Sequence, residues 1–381
     1  TCEPFHNLVQ HNLIVDQGVS FGFRRDPAES KIDFFASKDR WCRPVMARTG
    51  PDGALWIVDM YRYMIEHPQW LPQKGKDELR PWYRSGEDRG RIYRVVRTDR
   101  ARRNVLQLAD ASTGDLVSAL ESSNGWCRDT AQQLLIKKKS SSAIKPLRDM
   151  VANSEHPLAR IHAIWTLNGL DALTPPTIEL ALADTHPGVR RNAVRIAAIS
   201  PVKAERLTRL VNDPDAKVRL ELASTLGAYD TPITGQALAQ LLTEPDNHLY
   251  IMAAAMSSLN ARNVSTVLDS FIRSEKKIDT PITSELIGQA VAVGDKNSIS
   301  GIIETVCQTR GKPGVQHRFE NLAKILDGLS IRHWSLSQLS ISARARVTEM
   351  TQLARVVAQN QAADPSDRAK SIQLLAREVA A

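Results

Sequence analysis

Between residues 128 and 226 an arginine recurs at nearly constant spacing, with apolar or small residues three and seven positions behind it. The sets are Arg128/Ala131/Leu135, Arg160/Ala163/Leu167, Arg190/Ala193/Ala197 and Arg219/Leu222/Leu226, at intervals of 32, 30 and 29. Tyr250/Ala253/Ser257 extends the series 31 residues further on, with Tyr in place of Arg. Offsets of three and seven share one helical face. Upstream turns recur as well, at His156-Pro157, His186-Pro187, Asp213-Pro214 and Glu244-Pro245. Proline opens a helix and stops the one before it. A two-helix unit of about 30 residues predicts an α-solenoid, in which each repeat buries its apolar face only against its neighbours.

These units resemble short HEAT-type repeats, whose usual period of roughly 40–47 residues is longer. Compact versions of this size are similar to the repeats of phycobilin-lyase proteins. Beyond about residue 275 the anchors fade, while Leu286–Val293, Ile299–Val306, Glu320–Leu329 and Leu336–Val357 keep amphipathic helical spacing. That region reads as a divergent continuation of the solenoid.

The first hundred residues have a different chemistry. They hold 13 of the 20 Phe, Trp and Tyr residues. Pro44–Arg48 and Ala54–Val58 read as strands, and Thr49-Gly50-Pro51-Asp52-Gly53 between them is turn chemistry: Pro presets φ and Gly accepts φ > 0. After a long insertion, Gly90–Arg97 alternates polar and apolar as a half-buried strand does. Strand, tight turn, strand and a later strand is the pattern of one β-propeller blade. The expected fold is therefore mixed but mainly α, a short β segment (the C-terminal part of a β-propeller) followed by a HEAT-type α-solenoid. The expected domains are residues 1–100, 101–275 and 276–381.

Charge and composition narrow the function classes. Of the 381 residues, 50 are Lys or Arg and 42 are Asp or Glu, a formal charge of +8, and residues 1–100 carry 17 of the first kind and 14 of the second. So mixed a surface argues against nucleic acid as the partner. The longest apolar run, Ile251–Met256, falls far short of the ~18 residues of a transmembrane helix. The chain opens Thr-Cys-Glu-Pro-Phe-His, without a leader or an initiator Met, which suggests a fragment of something longer. Its four cysteines, Cys2, Cys42, Cys127 and Cys307, are too scattered for a zinc site.

Motifs for covalent haem, zinc proteases, phosphate loops and nucleophile elbows are absent. No metal site and no catalytic residue is assigned. The Arg128–Arg219 ladder reads first as hydrogen bonding between repeats, to carbonyls or carboxylates such as Asp129, and second as a basic stripe. His156 and His186, in repeat turns, read as capping or solvent-facing. Polar density gathers instead at the strand ends. Arg40 and Arg43 offer planar donors suited to carboxylates or a quinone's acidic groups, and Asp59, Glu66 and His67 have the chemistry to coordinate a cation or handle a proton. With Tyr61 and Arg62 they form the candidate cofactor-binding set. The alternative is that Arg43, Asp59 and Arg62 lock the insertion onto the strands through ion pairs.

Several stretches carry a family resemblance: Cys2-Glu3-Pro4-Phe5-His6-Asn7-Leu8-Val9, Asp39–Val45, Arg48–Arg62, Ile65-Glu66-His67-Pro68 and Asp88–Val95. Over residues 1–97 the chain resembles the membrane-bound dehydrogenases of planctomycete-type bacteria. Those proteins join a propeller similar to glucose/sorbosone dehydrogenases to a HEAT-like solenoid and a cytochrome c domain. The resemblance implies an exported, periplasmic or membrane-associated oxidoreductase acting on sugars or other alcohols. It would pass electrons from a pyrroloquinoline quinone to haem c on a further domain, with the parent protein's other domains and a cytochrome c as partners. By the same resemblance Arg40 and Arg43 look like paired quinone arginines, export permits a Cys2–Cys42 disulfide, and this chain alone is expected to be inactive. The rival expectation is a non-enzymatic HEAT-repeat scaffold binding protein or nucleic acid.

Overall fold

The computed structural model describes residues 1–65, 67–99, 101, 104–244, 248–273, 281–308 and 315–378. The chain is mainly helical, with short strands confined, among the described residues, to its first hundred positions, and it divides into two compact units, Thr1–Thr177 and Ile178–Ala381.

In the first unit β1 (Cys2–Glu3) and β2 (Leu8–Val9) precede an isolated hairpin of β3 (Asn12–Gln17) and β4 (Ser20–Arg25); β5 (Phe35–Ala36) then returns to pair with β2. The strands read from the sequence are β6 (Pro44–Thr49), β7 (Leu55–Asp59) and β8 (Arg91–Val95), a three-stranded antiparallel meander. Ile57 lies in register between Ala47 and Tyr93 and is fully buried, while Met46 and Ile92 flank Val58 on the other face and are exposed. The long insertion carries a short helix, α1 (Gln73–Leu79).

The Pro51-Asp52-Gly53 corner ties the meander together, with Gly53 at φ +77°. Buried Asp52 accepts hydrogen bonds from the Ala54 N–H and the Trp56 indole and pairs with the Arg94 guanidinium across the sheet. Burial opposes its ionisation, but the bonds from Trp56, Arg94 and Ala54 together outweigh it and hold the carboxyl below the usual carboxylate range. A carboxylate so depressed stabilises the fold above the unfolded value of about 3.9, and that contribution is lost as pH falls through the lower folded value. Asp52→Asn should therefore flatten the acid limb of the urea midpoint measured between about pH 5 and 2; an unchanged limb would refute the assignment.

All four cysteines carry free thiols, so the Cys2–Cys42 pairing is not formed. Cys42 is buried beside Asp59, Ser37 and Tyr93 instead, where burial and then the Asp59 charge push its thiol up. Burial pushes Cys307 up to about 12. Thiol titration of the unfolded, unreduced chain should find four thiols, with Cys2, the one not buried, reacting first in the native state. Two missing thiols would restore the disulfide.

Helical repeats follow the meander. The first unit contains α2 (Thr113–Ala119), α3 (Gly125–Lys137), α4 (Ile144–Asn153) and α5 (Pro157–Gly169), and α6 (Pro175–Leu182) straddles the division. The second unit holds α7 (Pro187–Ala197), α8 (Ala204–Thr208), α9 (Ala216–Thr225), α10 (Pro232–Thr243), α11 (Leu249–Ser257) and α12 (Val264–Arg273). It continues through α13 (Pro281–Val293), α14 (Lys296–Gln308), α15 (Val315–Ile331), α16 (Ile341–Gln359) and α17 (Pro365–Glu378). Asn124 joins strands to helices inside the first unit. It caps α3 while its amide donates to the Gly50 and Pro51 carbonyls at 2.9 and 3.1 Å.

Two expectations need correction. The helix expected over Leu336–Val357 begins at Ile341, because Leu339 and Ser340 are extended and the Ser340 hydroxyl accepts from the Ala343 N–H. The fifth anchor is Met252, not Tyr250. The N-cap lies four residues before each anchor, at Asn124, His156, His186, Asp215 and then His248. Burial agrees: Ala131, Ala163, Ala193 and Leu222 are fully buried, as is Ala255, whereas Ala253 and Ser257 are exposed and Leu259 takes the later apolar position. His186 caps through its ring, which accepts the Gly188 N–H at 3.1 Å. Pro245 of the fourth turn lies outside the described residues.

Candidate functional site

Four of the seven candidate residues, Arg43, Asp59, Tyr61 and Arg62, are brought together at the ends of β6 and β7. Asp59, 1% exposed, accepts the Arg43 and Tyr61 backbone N–H groups on Oδ1 at 2.6 and 2.9 Å and the Tyr93 hydroxyl on Oδ2 at 3.3 Å. Every guanidinium nitrogen of Arg43 donates to a backbone carbonyl. Nε reaches Arg62 at 3.0 Å, Nη1 reaches Pro4 at 2.9 Å and Phe5 at 3.3 Å, and Nη2 reaches Tyr63 at 2.8 Å. Burial draws the pKa of this guanidinium down from its ordinary value. Arg62 does the same for the insertion, donating to the carbonyls of Met60, Tyr61, Gly86, Glu87 and Arg89. Locking of the insertion therefore runs through carbonyls rather than the expected ion pairs, a use suited to a fork with five fixed donors.

Tyr61 sits at φ +51°, a strained conformation for a bulky residue. Asp59 holds its N–H, and the Arg91 guanidinium lies 3.9 Å from its ring centroid. The ring begins a chain of aromatic contacts: Tyr61 to Trp41 at 5.7 Å, Trp41 to Tyr63 at 5.6 Å and Tyr63 to Trp82 at 5.1 Å. Trp41, Trp82, Asp39 and Arg91 belong to this cluster and were missing from the candidate set, although Asp39, Trp41 and Arg91 lie in stretches that carry the resemblance and aromatic residues crowd the first hundred positions. Asp39 bonds to Arg91 at 3.3 Å, and the Trp41 backbone N–H, more than Arg91, holds its carboxyl below the usual range.

Arg40 and His67 are exposed, the His67 ring accepting the Gln69 N–H at 3.3 Å. Glu66 lies outside the described residues. Among the described residues no cluster of three or more His, Cys, Asp or Glu is placed to hold a metal ion. Arg43, Arg62 and Asp59 would have to break bonds to backbone groups to receive a quinone.

The arginine ladder is turned inward too. The Nη1 atoms of Arg128, Arg160, Arg190 and Arg219 each donate to the carbonyl six residues upstream, Ser122, Ser154, Asp184 and Asp213, at 2.6, 2.6, 2.9 and 2.6 Å. The ladder closes its own repeat's turn. Arg190 also reaches the next repeat, gripping both carboxylate oxygens of Asp213 at 2.7 and 2.8 Å. Asp129, the carboxylate expected to serve the ladder, lies 3.8 Å from His162 instead.

Comparisons with known proteins find matches in two separate stretches of the chain. Residues 1–99 match a family described as a domain of unknown function (DUF7133), and residues 174–258, which span α6 to α11, match HEAT repeats. No curated protein sequence matches the chain. Among solved structures, the complex of CpcE and CpcF of phycocyanin lyase from Nostoc sp. PCC7120 is similar at 18% identity. That match covers 66% of this chain and 97% of the other, with a TM-score of 0.33, too slight a likeness to bear on function. The chain thus carries a HEAT-repeat solenoid. No helix among the described residues is long and apolar enough to cross a membrane.

Proposed function

We propose that this chain is a non-enzymatic scaffold that binds a protein partner through its HEAT-repeat solenoid. One observation carries the reading: the regular polar groups of the repeats are engaged in building the stack. The arginine ladder closes turns, and Tyr229 and Ser258 bond to carbonyls of the preceding repeat, Ala197 at 2.8 Å and Ala223 at 2.5 Å. What such a stack offers outward is its extended surface, the binding device of solenoid proteins. The same inward-facing ladder removes the basic stripe that motivated nucleic acid as a partner. The test is capture by the immobilised chain at physiological salt, followed by reconstitution with the purified captured protein. Crosslinks from one protein to solenoid helices are the expected result. Retention of nucleic acid alone, lost steeply with added salt, would overturn the reading.

A second reading is supported by the resemblance of residues 1–97, which coincides with the separate family match over residues 1–99. In it the chain is part of an exported, membrane-associated quinoprotein-like oxidoreductase of sugars or alcohols, with the solenoid positioning its other domains and a cytochrome c. Turnover then belongs to the whole gene product, and pyrroloquinoline quinone is held outside the Arg43–Arg62 knot. Absence of turnover by the intact gene product with sugars or alcohols and a quinone acceptor would remove this reading.

A further inference from the structure

The ladder stops at α11, and a groove opens between α11 and α13. Met252 occupies the position where the four preceding repeats carry arginine, so a thioether replaces the guanidinium. In the second unit α9 packs on α11 and α13 packs on α15, but α11 and α13 are not packed closely on each other. On the other side of the stack α10, α12, α14 and α16 pack in unbroken succession. The gap is a groove of about 410 Å³. Met252, Met256 and Ala253 form one wall and Ile282, Glu285 and Gln289 the other. The contributing helix α11 carries no charged residue, and Leu249 and Tyr250 extend its apolar exposure at 63% and 50%.

We infer that this groove seats an amphipathic helix of the partner protein, with a Lys or Arg of that helix against Glu285. The inference rests on the scaffold reading and gives it an address. Ile282, Glu285 and Gln289 lie at helical offsets of three and seven, about two turns or 10 Å along α13. A helix laid alongside meets them with apolar side chains at the same offsets. Methionines adapt to such side chains because their stems are flexible and their sulfur polarisable. Charge selects the partner: among the described residues lining the groove, Glu285 is the one that is ionisable, an acidic point on a chain of net charge +8. A basic residue seated there gains an ion pair with Glu285. The helix lies over the gap between α11 and α13 and sends its apolar side chains into it.

The probe is a phage-displayed library of amphipathic peptides about 15 residues long, near the lower limit for a stable isolated helix, panned against the full chain. Selected peptides should carry apolar residues at offsets of three or four and seven, with a Lys or Arg in register. Met256→Glu should weaken them at least about tenfold, some 1.4 kcal/mol. Glu285→Arg should reject them while accepting twins whose Lys is replaced by Glu. Thermal melting checks that both variants fold; if Met256→Glu does not, Ala253→Lys on the exposed wall blocks the same groove. Peptides indifferent to these substitutions, or neutral phosphatidylcholine vesicles that bind in their stead, would overturn the assignment. If the captured partner still crosslinks elsewhere on the solenoid, the groove assignment fails alone; if the chain retains no protein at all, both fail.

Discussion

Asp213→Ala should destabilise the second unit by about 3–5 kcal/mol, the range for breaking a buried ion pair from one side. The Asp213 and Arg190 side chains are only 3% and 12% exposed, and the pairing is bidentate. Asp213 also accepts the Asp215 N–H at 2.9 Å, and its own carbonyl receives Arg219. Its carboxylate therefore joins the α7 repeat to the turn that starts α9. Removing it leaves Arg190 with only the Asp184 and Thr185 carbonyls. The double variant Arg190→Met/Asp213→Leu should lose much less, since it strands no charge. Urea unfolding followed by circular dichroism measures both. Because a solenoid's stability is a sum of neighbouring interfaces, amide exchange should quicken first in α7 and α9. A loss below about 1 kcal/mol, the value of an exposed pair, would mean that the two repeats do not depend on this contact.

How far the solenoid could be read depended on which signals were local. Helical periodicity located α3, α5, α7 and α9, the last three also by their Pro-containing turns, because the arginine, its cap and its buried partners all lie within about eleven residues. At α11 the arginine was gone. The repeat interval then chose Tyr250, 31 residues after Arg219, whereas the cap spacing, His248 four residues before the anchor, selects Met252. Apolar spacing likewise ran through Leu336 into α16, because an extended Leu339–Ser340 step does not interrupt the count of apolar residues. The two-residue strands β1, β2 and β5 lie below the reach of alternation altogether. What makes them strands is pairing between Val9 and both Cys2 and Phe35, contacts that leave no mark on the residues in between.

The candidate site was legible as a place but not as a function. Arg43, Asp59, Tyr61 and Arg62 do come together, as their crowding at strand ends suggested. Their partners are backbone carbonyls and amides, which every residue carries and no side chain announces. Arg43 finds Pro4 39 positions away, and Arg62 finds Gly86 24 away. Residue types fit for recognising a carboxylate are equally fit for tying a loop, and only the direction of their N–H groups separates the two uses. At the groove the reverse holds: a break in the ladder was visible, but the separation of α11 from α13 was not.

Gly86→Ala should be among the most damaging substitutions in the first unit, with an expected loss of about 3 kcal/mol or more. Two costs combine. Gly86 has φ +91°, where a Cβ is disfavoured by about 1–2 kcal/mol, and that Cβ would stand 2.4 Å from the Tyr61 carbonyl oxygen. The carbonyl has nowhere to go. Tyr61 is already held at φ +51° by Asp59, its oxygen receives Arg62, and the Gly86 carbonyl is itself an Arg62 acceptor. Relieving the clash therefore loosens Arg62 and with it the insertion that carries Trp82. Gly18→Ala is the matched control, because Gly18 has φ +73° and nothing within 4 Å of an added Cβ. It should lose only the conformational part, about 1 kcal/mol. Thermal unfolding gives the difference between the two, and near-ultraviolet circular dichroism of the Trp41–Tyr63–Trp82 contacts should fade in Gly86→Ala alone. Equal losses in the two variants would mean that the Tyr61 carbonyl moves freely and that the arginine knot is not what fixes the insertion.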